Sequence, residues 1–146
     1  MEKLNFSIDI NAPKEKVWNV LWDDATYTQW TSVFCEGSKA ITDWNEGSKV
    51  LFLDGKGSGM VSKIETKKPN EFMSFKHLGE VKDGVEDTTS EKVKVWAGAL
   101  ENYSLDETEG VTTLKVEMDI VEEFKDYFLK TFPGGLQKVK ELSESN

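Results

Sequence analysis

Arginine is absent from the 146 residues, so all 18 basic side chains are lysine, against 27 acids and a formal net charge of −9. Without a guanidinium the chain cannot present the bidentate fork that grips phosphate or guanine, and its net field repels polyanions. Nucleic acid and anionic membrane are therefore not expected partners. Cysteine is nearly absent as well. Cys35 stands alone, which forbids an intrachain disulfide and fits a reducing, cytoplasmic address. The opening Met1-Glu2-Lys3-Leu4-Asn5-Phe6 lacks the apolar centre of a signal peptide. Apolar runs such as Val50-Leu51-Phe52-Leu53 fall far short of a bilayer span, so no membrane insertion is expected. One histidine and one cysteine cannot build a zinc site, and the acidic stretch from Glu80 to Glu91 lacks the ligand spacing of a calcium loop. No metal and no cofactor are expected.

What is present suits a soluble globule, with 38% hydrophobic and 31% charged residues. No linker, repeat or compositional break divides residues 1–146, which are expected to form a single domain. The chain opens in strict alternation: Leu4, Phe6, Ile8 and Ile10 face one way, Lys3, Asn5, Ser7 and Asp9 the other. That predicts a half-buried strand. Asn11-Ala12-Pro13, with Glu15 in the first turn, starts a helix carrying Val17 and Leu21. A second short turn covers Tyr27 to Trp30.

From about Val33 to Val121 the period is two, broken by turn residues at Asn45-Glu46-Gly47, Asp54-Gly55, Lys68-Pro69-Asn70, Lys82-Asp83-Gly84 and Glu107–Gly110. Six strands are expected near 33–43, 48–54, 58–66, 71–78, 92–105 and 111–121. Gly55-Lys56-Gly57-Ser58-Gly59 lacks the ending of a phosphate loop and reads as a glycine-rich hairpin. Helical spacing returns in Phe124, Phe128, Phe132, Leu136, Val139 and Leu142. Pro133 inside this stripe is expected to kink or break the helix, and Gly134-Gly135 to let it approach the sheet. If Phe128 is core, truncating it to alanine costs about 3–5 kcal/mol. The fold class is α+β: a curved antiparallel sheet of about seven strands around a long C-terminal helix, with two short helices after the first strand.

Ala12-Pro13-x3-Val17-Trp18-x2-Leu21-x8-Trp30 resembles the opening of the START-like, or SRPBCC, superfamily. Trp44-x2-Gly47, Pro69 before an aromatic strand, Gly110-x-Thr112-x-Leu114 and Phe132-Pro133-x2-Leu136-x3-Lys140 extend the likeness over nearly the whole chain. The subfamily it most resembles is that of the activator of heat-shock protein 90 ATPase. The resemblance implies a helix-grip like that of the birch pollen allergen, with a cavity between sheet and terminal helix. Relatives of that kind include lipid and sterol binders, hormone receptors, cyclases and chaperone co-factors. They share no catalytic signature, so no catalytic residue is assigned.

The candidate cavity wall follows from strand phase. The odd face of 92–105 carries Val93, Val95, Ala97, Ala99, Glu101, Tyr103 and Leu105. If that face looks inward, Glu101 is a carboxylate on an apolar wall and needs a proton, a lysine or a ligand. A bulge near Ala97-Gly98-Ala99 would instead turn it to solvent. His77 shares phase with Met73 and Phe75, and Val116 and Met118 belong to the neighbouring wall. Phe128 and Phe132 face it from the helix. A hairpin centred near residue 85 sets His77 opposite residue 93, leaving Glu101 about 26 Å away at ~3.3 Å per residue, so a His77–Glu101 dyad is not expected. Tyr103, beside Glu101, either holds a polar ligand end with it or forms a structural pair. Cys35 lacks a basic neighbour and reads as a buried or idle thiol. The five tryptophans are expected mostly in the core.

These residues favour a non-catalytic module that binds a small apolar or amphipathic ligand. The alternative is a protein-interaction module with a chaperone-type partner. A cyclase- or hydrolase-like enzyme comes third, because no catalytic constellation converges. An open cavity favours the ligand reading, a filled core the interaction reading, and clustered polar groups in the cavity would raise the enzyme.

Overall fold

A computed structural model describes residues 1–145. Strand β1 (Glu2–Ile10) leads through helices α1 (Lys14–Trp22) and α2 (Asp24–Thr31) to β2 (Lys39–Ile41), β3 (Lys49–Leu53), β4 (Gly59–Lys68), β5 (Phe72–Lys82) and β6 (Val85–Asp87). A short helix α3 (Glu91–Lys94), strands β7 (Leu100–Thr108) and β8 (Val111–Ile120), and the long helix α4 (Glu122–Glu144) complete the chain. The eight strands form one antiparallel sheet in the order β1-β8-β7-β5-β4-β3-β2, with β6 paired to the end of β5. This is the helix-grip expected, with one short strand more than the seven read from periodicity.

The turns explain the register. Asp83-Gly84 and Glu109-Gly110 each join two strands with both residues at positive φ, the two-residue hairpin geometry that matches strand twist. Between β3 and β4, the Asp54 carboxylate accepts from the amides of Lys56 and Ser58 at 2.7 and 3.0 Å, closing the glycine-rich hairpin. Pro13 precedes α1, and the Asp23 side chain caps α2 through Ala25 N.

Three segments depart from the sequence reading. Only Lys39–Ile41 of the 33–43 run is strand, because α2 extends to Thr31. The 92–105 run is strand only from Leu100, since Ser90-Glu91-Lys92 starts α3 and Gly98 at φ +95° turns the chain back. The acidic segment before it, outside the six expected strands, carries a further one: Val85–Asp87 pairs with Glu80–Lys82, and a Cβ at Gly79 would collide with the Asp87 carbonyl.

Helix α4 runs unbroken through Pro133, which lies on its exposed side where the missing amide bond faces water. Gly134 and Gly135 face Val33 and Phe34, at and after the end of α2, rather than the sheet. The apolar stripe is buried only in part. Phe132, Leu136 and Val139 are core, Phe128 and Leu142 are half-buried, and Phe124 is exposed. The core lies between the concave face of the sheet and α1, α2 and this C-terminal half of α4, with Trp18, Trp22 and Trp30 buried in it. Trp44 and Trp96 are half-buried. Among the described residues no helix is long and apolar enough to cross a membrane.

Candidate functional site

Beneath the N-terminal half of α4 the core gives way to a cavity of about 620 Å³. Helix α2 and the segment after it supply Tyr27, Trp30 and Phe34; α4 supplies Phe128 and Phe132; β3 supplies Phe52. The floor is the concave face of β5, β7 and β8, represented by His77, Ala99, Glu101, Tyr103 and Met118. Phe124, Tyr127 and Cys35, all exposed, mark the mouth.

Sheet register assembles the polar centre. Ser62 pairs directly with His77, and Glu101 pairs with Phe75, one diagonal step from His77 on the same face. Ser62 Oγ lies 2.7 Å from His77 Nδ1, and His77 Nε2 lies 3.1 Å from Glu101 Oε1. The Tyr103 hydroxyl, two residues along β7, donates to Glu101 Oε2. A carboxylate only accepts, so Nε2–H donates to Glu101, and Nδ1 shares a hydrogen bond with the Ser62 hydroxyl. His77 and Glu101 are thus in contact, contrary to the hairpin estimate. The reason is the excursion through β6 and α3: His77 pairs with Ala99, not with residue 93, through His77 N to Ala99 O at 2.9 Å and Gly98 N to His77 O at 2.8 Å.

This line of serine, histidine and glutamate has the composition of a hydrolase triad but not its access. Ser62 is fully buried and absent from the cavity surface, so its hydroxyl fixes the imidazole ring and meets no ligand. The groups open to an occupant are Glu101, Tyr103, His77 and Tyr27. Burial, and then the Glu101 charge, push the phenols of Tyr27 and Tyr103 well above the usual tyrosine range. Both therefore stay protonated. The Tyr27 hydroxyl has no hydrogen-bond partner among the described residues.

Four carboxylates reach the cavity and no lysine does. Glu80 is paired with Lys92 at 2.6 Å, and Asp119 holds Lys3 at 3.4 Å while accepting from Leu100 N. Asp54 is engaged by turn amides, first that of Ser58, which hold its carboxyl below the usual range. Glu101 alone faces the interior without a lysine. Among the described residues no group of three His, Cys, Asp or Glu side chains converges as a metal site.

Of the residues expected on the wall, His77, Ala99, Glu101, Tyr103, Met118, Phe128 and Phe132 line the cavity. Met73, Phe75 and Val116 do not: they share the face but are sealed in the core, Phe75 by Trp22, Trp44 and Phe52. Ala97 is exposed in the turn after α3, outside the cavity. Cys35 is exposed at the mouth rather than buried. Tyr27, Trp30, Phe34 and Phe52 were not anticipated. They come from a short helix and a short strand whose apolar residues are too few to show a period.

A family model described as Activator of Hsp90 ATPase homolog 1-like protein matches residues 11–138. The solution structure of the Aha1 dimer from Colwellia psychrerythraea is similar at TM-score 0.75 and 19% identity, covering 99% of this chain and 97% of that one. Protein MLL2253 from Mesorhizobium loti gives TM-score 0.75 at 14% identity over 97% and 96% of the two chains. ChR145 from Cytophaga hutchinsonii gives 0.72 at 16% over 99% and 94%. At these identities the likeness is one of fold. No curated protein sequence matches the chain.

Proposed function

The chain belongs to the Activator of Hsp90 ATPase homolog 1-like family, whose fold commonly binds ligands, and from that premise we propose that it is a small-molecule-binding module. Its ligand is an apolar or amphipathic molecule held between the sheet and the N-terminal half of α4. The observation that carries this reading is the cavity of about 620 Å³, lined by aromatic side chains and one interior carboxylate. A core meant only to support an outer interaction surface gains nothing from such a void, because unfilled volume is destabilising. The wall residues His77, Ala99, Glu101, Tyr103, Met118, Phe128 and Phe132 make the binding surface in this proposal, with Tyr27 and Trp30 added from α2.

A ligand burying about 300 Å² of apolar surface gains roughly 7–8 kcal/mol at ~25 cal/mol per Å². Association and ordering costs then place the affinity near micromolar. The neutral dye Nile red is expected to bind with increased fluorescence. Ala99→Trp, which fills the floor between His77 and Met118, is expected to abolish that signal while the far-ultraviolet spectrum and cooperative melting persist. Undiminished dye binding by the folded variant would place the site elsewhere.

A further inference from the structure

The ligand reading leaves open which polar end the cavity selects, and the distribution of charge answers it. We propose that the site is selective for an organic amine: an ammonium group on an apolar body, seated against Glu101. This rests on the reading of the cavity as a ligand site and adds the chemical class of its occupant.

Three observations carry it. First, none of the 18 lysines reaches the cavity, although lysine is the chain's only strong base. An anionic headgroup would lose its water with no cation to replace it, and would sit beside a carboxylate. Second, Glu101 differs from the other lining carboxylates. Glu80 and Asp119 have lysines and Asp54 has turn amides, whereas Glu101 is held by the imidazole N–H and the Tyr103 hydroxyl, with no lysine paired to it. A carboxylate offers about four acceptor directions and these donors fill two, so two remain for an occupant of the cavity that Glu101 lines. Its side chain is 20% exposed, which fits a group still open on one side. Third, Tyr27 is 6% exposed, lines the cavity, and has a hydroxyl without a partner among the described residues. It lines the same cavity as Glu101, and its hydroxyl oxygen can accept an N–H from an occupant. Aromatic side chains around the pair, Trp30, Phe52 and Tyr103 among them, receive the apolar body and add attraction for a cation over a ring face.

Three probes share one chain and differ at the head: n-octylamine, 1-octanol and octanoate. Each is titrated into the 146-residue protein at physiological salt by isothermal calorimetry. Octylamine is expected to bind about tenfold tighter than octanol, and octanoate at least tenfold more weakly than octanol, as for one charge-assisted hydrogen bond gained or one like charge opposed. Glu101→Gln is expected to bring the three within about threefold. Glu80→Gln, a rim carboxylate, is expected to leave the ranking unchanged, which separates the site from the attraction of a net charge of −9 for any cation. Should Glu101→Gln not fold, the single histidine gives a second readout: octylamine shifts the His77 ring proton resonances in the wild-type protein and octanol shifts them less. Octanoate binding as tightly as octylamine, or selectivity surviving Glu101→Gln, or tight amine binding with an unmoved His77, overturns the proposal and leaves the cavity as a neutral apolar site. Failure of all three probes and of Nile red overturns the ligand reading with it.

Discussion

From Phe132 to Ser143, α4 buries Phe132, Leu136 and Val139 at 2%, 3% and 0% exposure, whereas from Phe124 to Leu129 it leaves Phe124, Tyr127 and Leu129 at 45%, 43% and 46%. The apolar stripe of Phe124, Phe128, Phe132, Leu136, Val139 and Leu142 nonetheless runs through both halves in steps of three or four. What differs is the surface beneath. Under the C-terminal half, β1 and α1 offer large apolar partners, such as Phe6, whose ring stacks on Phe132 at 4.8 Å. Under the N-terminal half the sheet offers Ala99, Glu101 and His77, and these do not fill the space. An amphipathic stripe therefore says which side of a helix faces the fold, but not whether that side meets a core or roofs a void.

The sharpest way to break this comparison is to truncate one residue in each half. Leu136→Ala is expected to cost about 2–5 kcal/mol, because a fully packed side chain leaves a cavity that cannot collapse. Phe128→Ala, half-buried on the cavity wall, is expected to cost nearer ~1 kcal/mol, below the 3–5 kcal/mol that a core position would imply. Urea midpoints for both variants check it. Equal losses would mean that the two halves are packed alike.

Alkaline titration sharpens the same boundary from inside the cavity. The chain has three tyrosines, and burial raises the phenol of each, least for Tyr127 at the mouth. In the unfolded chain tyrosine loses its proton near pH 10. The folded protein keeps the protons of Tyr27 and Tyr103 above that pH, so it binds more protons than the unfolded chain and stability falls as pH rises. Their contribution is complete below about pH 10 and is lost as pH climbs toward the raised values. Phenolate absorbance is expected to show one tyrosine ionising reversibly, then two together with unfolding. Early ionisation of Tyr103 would mean that bulk water fills the cavity.

Much of the fold could be read in advance because alternation and turn glycines are local signals. Leu114, Val116, Met118 and Ile120 point inward as their spacing requires, and Asp83-Gly84 and Glu109-Gly110 fall where strands end. The failures came where alternation imitates strand. Val93, Val95, Ala97 and Ala99 alternate, yet Ser90-Glu91 starts a helix and Gly98 reverses the chain. Reading these residues as strand kept the inward phase of Glu101 and Tyr103 but misplaced His77 by the whole length of the excursion. The polar centre is a product of register, Ser62 against His77 and His77 against Ala99. Register across an excursion is not a local property of sequence. The aromatic wall from α2 was hidden for a related reason, since residues that line a void need no period.

At the junction between the two halves of α4, Gly134 and Gly135 are adjacent and helical but face different neighbours, so the smallest expected effect, at Gly134, adjoins a larger one. A Cβ on Gly134 meets only Val33 Cγ1, at 3.1 Å, and Val33 is 41% exposed and free to turn aside. A Cβ on Gly135 comes within 2.8 and 3.0 Å of the Phe34 ring, which Trp30, Phe128 and Phe132 hold in place. Alanine gains about 0.5–1 kcal/mol over glycine in a helix interior, so the sign of each substitution depends on whether the neighbour yields. Gly134→Ala is expected to raise stability by roughly half a kcal/mol. Gly135→Ala is expected to lower it by about 1–3 kcal/mol, the usual cost of overpacking. Because Phe34 lines the cavity, Gly135→Ala is also expected to push its ring inward and weaken Nile red binding, while Gly134→Ala leaves that binding unchanged. Denaturant midpoints and a dye titration on the two variants test both statements. If Gly135→Ala is as stabilising as Gly134→Ala, Phe34 yields freely, and the close contact that joins the packed half of α4 to the open one is not tight.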